Sequence, residues 1–173
     1  MNRLRTRVHA LDRRRRHRSA ARALLRVLPE PESWLDVGTG YADFPHAARE
    51  FFPYTAFDGI DPTARVEYAR RAGRVEEAYA GQVTDPHITS LLRARYDVVT
   101  LLRHRSPGPP DAGAELRAAL AVLRPGGHLL VEVPGARSDD IRAHLEAQGC
   151  TIVTPAGRFL EFLAPGRRVI ARR

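Results

Sequence analysis

The chain has one cysteine, one tryptophan and one methionine among its 173 residues, and it contains no lysine. A single cysteine, Cys150, cannot form a disulfide within the chain and cannot by itself make a zinc site, so neither a disulfide framework nor a metal site is expected. No apolar run approaches the ~20 residues that a membrane-spanning helix needs. The arginine-rich start is not followed by the continuous apolar segment of a secretory signal. These absences favour a cytoplasmic protein with no membrane partner.

The net charge of +8 is concentrated at one end of the chain. Residues 1–26 hold ten arginines against a single acid, Asp12, whereas the remainder holds 18 arginines against 19 acids. The basicity therefore belongs to the N-terminal segment and not to the rest of the chain. We interpret this segment as a helix that packs on the domain, with a phosphate-binding arm or a lid over a substrate as the alternatives.

Strand-like apolar runs alternate with helical patterns along the chain. After a poorly ordered start over residues 1–12, a first helix is predicted over 13–28, where Pro29 and Pro31 end it. The predicted strands are 34–37, 55–60, 75–81, 96–102, 128–133, 151–154 and 168–171, and the helices between them are 43–52, 63–72, 85–93, 111–123 and 138–148, with 159–163 left ambiguous. This alternation predicts an α/β fold with a parallel sheet covered by helices on both faces. We divide the chain into a basic arm and helix over 1–28 and one domain over 29–173.

A glycine turn joins the first predicted strand to the helix that begins at Asp43, which we expect to be its N-cap. A dinucleotide fingerprint would carry a third glycine at position 43, and a P-loop would carry a lysine, so neither motif fits. Instead an acid, Asp36, precedes Gly38. A carboxylate in that position would repel a pyrophosphate, and it suits a ligand that carries an ammonium group.

A second acid lies where the second predicted strand ends. Asp61 is placed to accept hydrogen bonds from ribose hydroxyls, as the acid of dinucleotide folds does. Asp58 is the less favoured alternative because it falls within the strand.

Four motifs follow one another in a recognisable order and spacing. They are Leu-Asp-Val-Gly-Thr-Gly (35–40), Phe-Asp-Gly-Ile-Asp (57–61), Tyr-Asp-Val-Val-Thr (96–100) and Leu-Arg-Pro-Gly-Gly-His-Leu-Leu-Val-Glu-Val (123–133). With them the chain resembles the class I S-adenosylmethionine-dependent methyltransferases over residues 33 to about 155. The resemblance implies a three-layer, doubly wound, Rossmann-like domain with a mostly parallel sheet of seven strands, the last one antiparallel, and S-adenosyl-L-methionine as the cofactor.

The resemblance also implies which residues bind the cofactor. Asp36 and the turn residues would hold the methionine end, Asp61 and Pro62 the ribose, and the segment after the third strand the adenine. The residues implied are Asp36, Gly38, Thr39, Gly40, Asp61, Pro62, Gln82, Val83, Asp85, Thr100 and Leu101. Gln82 stands where many relatives carry an acid, and Asp85 is a candidate for the adenine amino group.

The loop after the fourth strand contains one candidate general base, His104, in place of the acidic-His pair of many small-molecule relatives. The implied reaction is methyl transfer to a small or medium organic acceptor. Two alternatives remain open: an RNA methyltransferase that grips RNA with residues 1–26, and a non-catalytic subunit that binds the cofactor or a partner. A second copy or a partner subunit is a candidate cover for the open acceptor face.

Overall fold

The structure is a computed structural model that describes residues 2–102, 112–133, 138–153 and 167–173. Helices and strands alternate throughout these residues. The helices are α1 (Asn2–Leu25), α2 (Asp43–Ala48), α3 (Arg65–Arg71), α4 (Pro86–Leu91), α5 (Ala112–Val122) and α6 (Ser138–Ala147). The strands are β1 (Ser33–Val37), β2 (Ala56–Asp61), β3 (Ala78–Ala80), β4 (Tyr96–Leu102), β5 (Leu123–Val133), β6 (Thr151–Ile152) and β7 (Arg167–Arg172). The proline- and glycine-rich loop over 106–110 and the apolar run over 159–163 lie outside the described residues.

All seven strands belong to one sheet with the order β3-β2-β1-β4-β5-β7-β6. The contacts among β1, β2, β3, β4 and β5 are parallel, whereas β7 runs antiparallel to both β5 and β6. The predicted α/β sheet of seven strands with an antiparallel last strand is confirmed. Because the parallel strands run the same way, the segments that follow β1, β2 and β4 meet at one edge of the sheet.

The central strands are buried on both faces, so consecutive residues belong to different layers. Trp34 of β1 packs with α1 and α2 on one face, in a cluster that includes Val98 and Leu130. Leu35, the next residue, packs in the cluster of the opposite face with residues of α5 and α6. Helices on both faces of the sheet complete the three predicted layers.

Helix α1 begins at Asn2 rather than at residue 13, so the expectation of a poorly ordered start is wrong for the described residues. Residues 2–12 contain neither proline nor glycine, and their arginines and leucines favour a helix. Further along α1, Arg14 and Arg18 approach the Glu50 carboxylate at 3.1 and 2.7 Å. These contacts, together with the burial of Leu24, agree with the interpretation of a packing helix.

Several predicted helix and strand boundaries also differ from the structure, and two of them lie in α2 and β5. Asp43 is the first residue of α2 and not its N-cap, because Ala42 precedes it in a left-handed conformation with φ of 56°. The Asp43 carboxylate pairs with Arg13 and Arg74 at 3.2 and 3.1 Å instead. Strand β5 begins at Leu123, where it pairs with Tyr96 of β4. Among the described residues, no helix combines the length and the apolar composition that crossing a membrane requires.

Replacing Leu24 with alanine tests whether α1 is part of the core. The Leu24 side chain has no exposed surface, so the cavity left by Leu24→Ala should lower the free energy of unfolding by about 2–5 kcal/mol in urea denaturation. Leu11 on the same helix is 62% exposed, and Leu11→Ala should change it by less than about 0.5 kcal/mol. Equal effects of the two substitutions would contradict the packing of α1 described here.

Candidate cofactor site

The turn after β1 is tied to the end of β2 by its own backbone. Gly38 and Gly40 adopt left-handed backbone angles, with φ of 73° and 55°, which glycine reaches at little cost. The N–H groups of Gly38 and Thr39 donate to the Ile60 carbonyl at 2.8 and 3.1 Å, and the Gly40 N–H donates to Asp61 Oδ2 at 2.9 Å. Since all three N–H groups are occupied, this turn does not offer a phosphate the row of free donors that anion sites provide.

The closeness of the turn to β2 depends on the missing side chain of Gly59. A Cβ at Gly59 would lie 2.7 Å from Thr39 Cγ2 and 3.3 Å from Val75 Cγ1, so the Thr39 side chain, or the turn that carries it, would have to shift. A Cβ at Gly38 or Gly40, by contrast, would meet no heavy atom within 4 Å among the described residues. The turn therefore rests on β2 on one side and borders open space, where a ligand can approach the backbone, on the other.

Asp36 is a buried carboxylate with a defined partner. It is 3% exposed, and its Oδ1 accepts a hydrogen bond from the Thr100 hydroxyl at 2.6 Å. The Thr100 oxygen in turn accepts from the Trp34 indole N–H at 3.2 Å. Burial raises the pKa of Asp36 to about 6, and the hydrogen bond from Thr100 offsets only part of that rise.

Asp61 lies beside the turn, whereas Asp58 does not. The Asp61 carboxylate accepts from the Thr63 N–H at 2.9 Å and from the Thr63 hydroxyl, in addition to its bond from the turn. Asp58 accepts from the Tyr96 hydroxyl at 2.7 Å and from the Glu77 N–H at 3.1 Å. Because Tyr96 is the first residue of β4, this bond points away from the carboxyl edge of the sheet. The geometry favours Asp61 as the ligand-binding acid and gives Asp58 a structural role.

The segment after β3 follows the strand that pairs with β2. Val83 is buried and Gln82 is exposed. Asp85 is the N-cap of α4, where its Oδ1 accepts from the His87 N–H at 2.9 Å. If Asp85 accepts a hydrogen bond from an adenine amino group, it would therefore do so with Oδ2.

The remaining predicted residues divide between the two sides of the sheet. Thr100 points to Asp36, but Leu101 packs in the cluster on the opposite face, so only the backbone of Leu101 is available to a ligand on the Asp36 side. Pro62 is exposed next to Asp61. His104 lies outside the described residues.

Three polar contacts near this edge were not predicted from the sequence. The first is the hydrogen bond from Trp34 to Thr100. Trp34 shares a face with Asp36 because the two are two residues apart on a strand, and this spacing was the signal in the sequence that could have indicated Trp34. Thr63 bonds Asp61 from two residues further along the chain. Glu132, an acid in an otherwise apolar strand, is buried and lies 3.4 Å from Arg168 Nη2, and Arg168 also donates to Ser19 Oγ of α1 at 2.8 Å.

The arrangement suits a ligand that donates hydrogen bonds and carries a positive charge. The site contains two buried carboxylates, Asp36 and Asp61, at the ends of neighbouring strands. The glycine turn beside them borders open space. An ammonium group and a pair of ribose hydroxyls match these acceptors, whereas a pyrophosphate would meet negative charge and would find the N–H groups of Gly38, Thr39 and Gly40 already occupied. The residues therefore fit S-adenosylmethionine. No group of three or more His, Cys, Asp or Glu side chains that could hold a metal is found in the described part of the chain.

Neutralising Asp36 should stabilise the protein in the absence of ligand. Its pKa of about 6 in the folded state exceeds the ordinary value of 3.8 for an aspartate, so the folded state binds more protons, and stability falls as pH rises from about 4 to about 6. Asp36→Asn should raise the free energy of unfolding at pH 7 by about 1–3 kcal/mol, and the gain should vanish towards pH 4. Thermal or urea unfolding across this range measures it. Asp12→Asn, at an exposed acid on α1, is the control; a loss of stability in Asp36→Asn would contradict the expectation.

Comparisons with known proteins agree with this geometry. A family model described as "Methyltransferase domain" matches residues 11–163. A sequence comparison with curated proteins returns no match.

Solved structures share the fold at low sequence identity. An N1-methyltransferase of 1,6-didemethyltoxoflavin from Burkholderia thailandensis, with that compound and S-adenosylhomocysteine bound, has a TM-score of 0.67 at 23% identity, over 91% of this chain and 77% of its own. A magnesium protoporphyrin IX methyltransferase from Synechocystis with bound cofactor gives 0.70 at 17% identity, over 94% and 80%. A putative O-methyltransferase from Nostoc punctiforme gives 0.69 at 15% identity, over 92% of this chain but only 56% of its own.

The family model covers most of the chain, and the seven-stranded sheet and the acids at its carboxyl edge are those expected from the motifs. The chain belongs to the S-adenosylmethionine-dependent methyltransferase domain family with a Rossmann-like fold.

Proposed function

We propose that this chain transfers the methyl group of S-adenosylmethionine to a small or medium organic acceptor and holds the cofactor between Asp36 and Asp61. The observation that carries the proposal is the pair of buried carboxylates at the carboxyl ends of adjacent strands, next to a turn in which the N–H groups of Gly38, Thr39 and Gly40 are occupied. When bound, S-adenosylmethionine supplies a methyl carbon made electrophilic by the adjoining sulfonium.

Asp36 acts as the counter-ion of the cofactor's amino group. In its ionised form the buried carboxylate attracts the ammonium strongly, because few water molecules compete for it. The Thr100 hydroxyl keeps one carboxylate oxygen in a fixed direction, which leaves Oδ2 for the ammonium. The gain from this new pair offsets the cost of burying Asp36.

Asp61 binds the ribose with the part of its carboxylate that remains available. A carboxylate has about four lone-pair sites, and the structure fills three of them with the Gly40 N–H and with the N–H and hydroxyl of Thr63. Asp61 would accept a ribose hydroxyl at the remaining site, and a second one wherever the ligand displaced the Thr63 hydroxyl. Pro62 and the segment from Gln82 to Asp85 complete the proposed nucleoside site.

The main task of the chain in methyl transfer is to position the acceptor and the cofactor. The reaction is a displacement, so the site must align the acceptor and exclude water. A general base is needed only where the acceptor must lose a proton, and His104 is the residue we propose for that case.

A small acceptor is supported by the neighbours and by the state of the basic helix. The Burkholderia neighbour is crystallised with 1,6-didemethyltoxoflavin, and the Synechocystis neighbour is named for magnesium protoporphyrin IX. Arg13, Arg14 and Arg18 of α1 contact acids of the domain, which takes part of the charge that gripping RNA would use. No observation favours RNA over the small acceptor. We further propose a cytoplasmic location and a second copy or partner subunit as the cover of the acceptor face.

Removing the Asp61 carboxylate should weaken binding of the cofactor product. Asp61→Ala eliminates the proposed ribose acceptor and frees the Gly40 N–H, so affinity for S-adenosylhomocysteine in calorimetry should fall at least about tenfold. Asp140→Asn, at an exposed acid on α6, is the control and should leave affinity unchanged. Unchanged affinity in Asp61→Ala would refute the ribose assignment.

Calorimetry also separates the functional alternatives. A failure of the intact protein to bind S-adenosylhomocysteine would overturn the proposed enzyme. Binding without any transfer of labelled methyl to a panel of small aromatic and amine acceptors, in the presence of candidate partner proteins, would favour the non-catalytic subunit. Label appearing in RNA, lost at raised salt, would favour the RNA methyltransferase.

Cofactor affinity should depend on pH through Asp36. The ionised carboxylate is the form that attracts the ammonium, so affinity for S-adenosylhomocysteine should be constant above pH 7 and should fall by up to about tenfold per unit below the Asp36 pKa of about 6. Calorimetry between pH 5 and 8 measures this. The dependence should disappear in Asp36→Asn, and its persistence there would assign it to another group.

A further inference from the structure

Three buried side chains form one line of hydrogen bonds across two strands. Trp34 and Asp36 lie two residues apart on β1, and Thr100 lies opposite Asp36 on the neighbouring β4. The Trp34 Nε1–H donates to Thr100 Oγ1 at 3.2 Å, and the Thr100 hydroxyl donates to Asp36 Oδ1 at 2.6 Å. Trp34 and Thr100 have no exposed surface, and Asp36 is 3% exposed. Water therefore cannot replace either bond.

The direction of these bonds is fixed by chemistry. An indole N–H is a donor only, so Thr100 Oγ1 must be the acceptor of the bond from Trp34. The single hydroxyl proton of Thr100 is then left for the nearest acceptor, which is the Asp36 carboxylate. A bond of 2.6 Å from a hydroxyl to a carboxylate has the short length typical of a charge-assisted bond.

Packing holds the tryptophan ring in place. The Trp34 ring lies against the rings of Phe44, Phe52 and Phe57, with centroid distances of 5.6, 5.1 and 5.2 Å. The ring cannot turn without displacing these neighbours, since all four side chains are buried. The indole N–H consequently points at Thr100 before any ligand arrives.

We propose that Trp34 and Thr100 are positioning residues of the cofactor site, which orient the Thr100 hydroxyl towards Asp36 and so keep that carboxylate ionised and aimed at the cofactor's ammonium group. The inference rests on the proposed role of Asp36. It assigns a function in binding to a tryptophan that packing alone would class as core.

The surroundings of Asp36 show why such a donor matters. Burial, and to a smaller extent the negative charge of Asp61 on β2, disfavour the ionised form, and the Thr100 hydroxyl, followed by that of Thr39, opposes them. Among the described residues, the other charged or titratable side chains on this face include His17 of α1, Asp43 of α2 with its two arginines, Glu50 with Arg14 and Arg18, and the Glu132–Arg168 pair of β5 and β7. Asp43 and Glu132 already have arginine partners, and His17 stacks edge-on against Phe44 at 5.7 Å.

The hydrogen bonds from Trp34 to Thr100 and from Thr100 to Asp36 are called the relay below. The test compares the pH dependence of binding among variants of Trp34 and Thr100. S-adenosylhomocysteine affinity is measured by calorimetry from pH 5 to 8.5 in the full chain, in Thr100→Val, in Trp34→Phe and in the double variant. Thr100→Val should move the midpoint upwards by about one pH unit or more, because a hydrogen bond to a charged group is lost. Trp34→Phe should move it in the same direction by less. The double variant should match Thr100→Val, since Trp34 acts only through the Thr100 hydroxyl.

Two further variants separate this role from packing. Thr100→Ser keeps the hydroxyl and should retain the wild-type midpoint. Phe57→Leu removes an aromatic neighbour of Trp34 but no relay bond, so it should lower stability and leave the midpoint in place. A midpoint that stays unchanged in Thr100→Val, or that moves equally in Phe57→Leu and Trp34→Phe, would overturn the inference.

A measurement without ligand keeps the test independent of the proposed function. The pH range over which stability falls reports the Asp36 carboxylate in the free protein. In Thr100→Val this fall should extend to higher pH by the same shift as the binding midpoint, and no extension would overturn the relay. If the wild-type protein shows the fall in stability but binds no S-adenosylhomocysteine, the proposed function fails, while the control of Asp36 by Thr100 is judged by this measurement alone.

Discussion

The attachment of the glycine turn to the end of β2 is the constraint on which the site depends. Two turn N–H groups donate to one carbonyl, that of Ile60, and a third donates to the Asp61 carboxylate. These bonds fix the distance between the two acids, because Asp36 lies on the strand that leads into the turn and Asp61 is the last residue of β2. The same set of bonds also occupies three N–H groups that would otherwise be available to a phosphate. One set of backbone bonds thus selects the class of ligand and sets the spacing of the groups that bind it.

Asp36 illustrates how a binding site keeps a group that the fold alone would not favour. An isolated carboxylate in a dry interior is costly, and the raised pKa expresses that cost. The protein reduces the cost with one hydroxyl bond and leaves the rest to be offset by the ligand. Stability and affinity therefore make opposite demands on this residue, as is common where a site is built into a core.

Much of the fold could be predicted because its signals are local. Apolar runs, prolines and glycines mark most strands and helices, and the position of an acid relative to a strand end is enough to prefer Asp61 to Asp58. The relay from Trp34 could not be predicted, because it depends on the register between β1 and β4, which is set by packing and not by either strand alone. The opposite directions of Thr100 and Leu101, by contrast, follow from strand alternation alone. The start of α1 at Asn2 was not predicted, because the apolar residues of 2–12 have only a loosely helical spacing, whereas those after Arg13 lie on one clear face.

Gly59 limits how the site can be altered. Its missing side chain lets Thr39 rest on β2, where a Cβ would come within 2.7 Å of the Thr39 methyl. An alanine there would force the Thr39 side chain, or the turn that carries it, to move. Engineering the domain to accept bulkier cofactor analogues should therefore vary the residues that border the open space in front of the turn and keep position 59 as glycine.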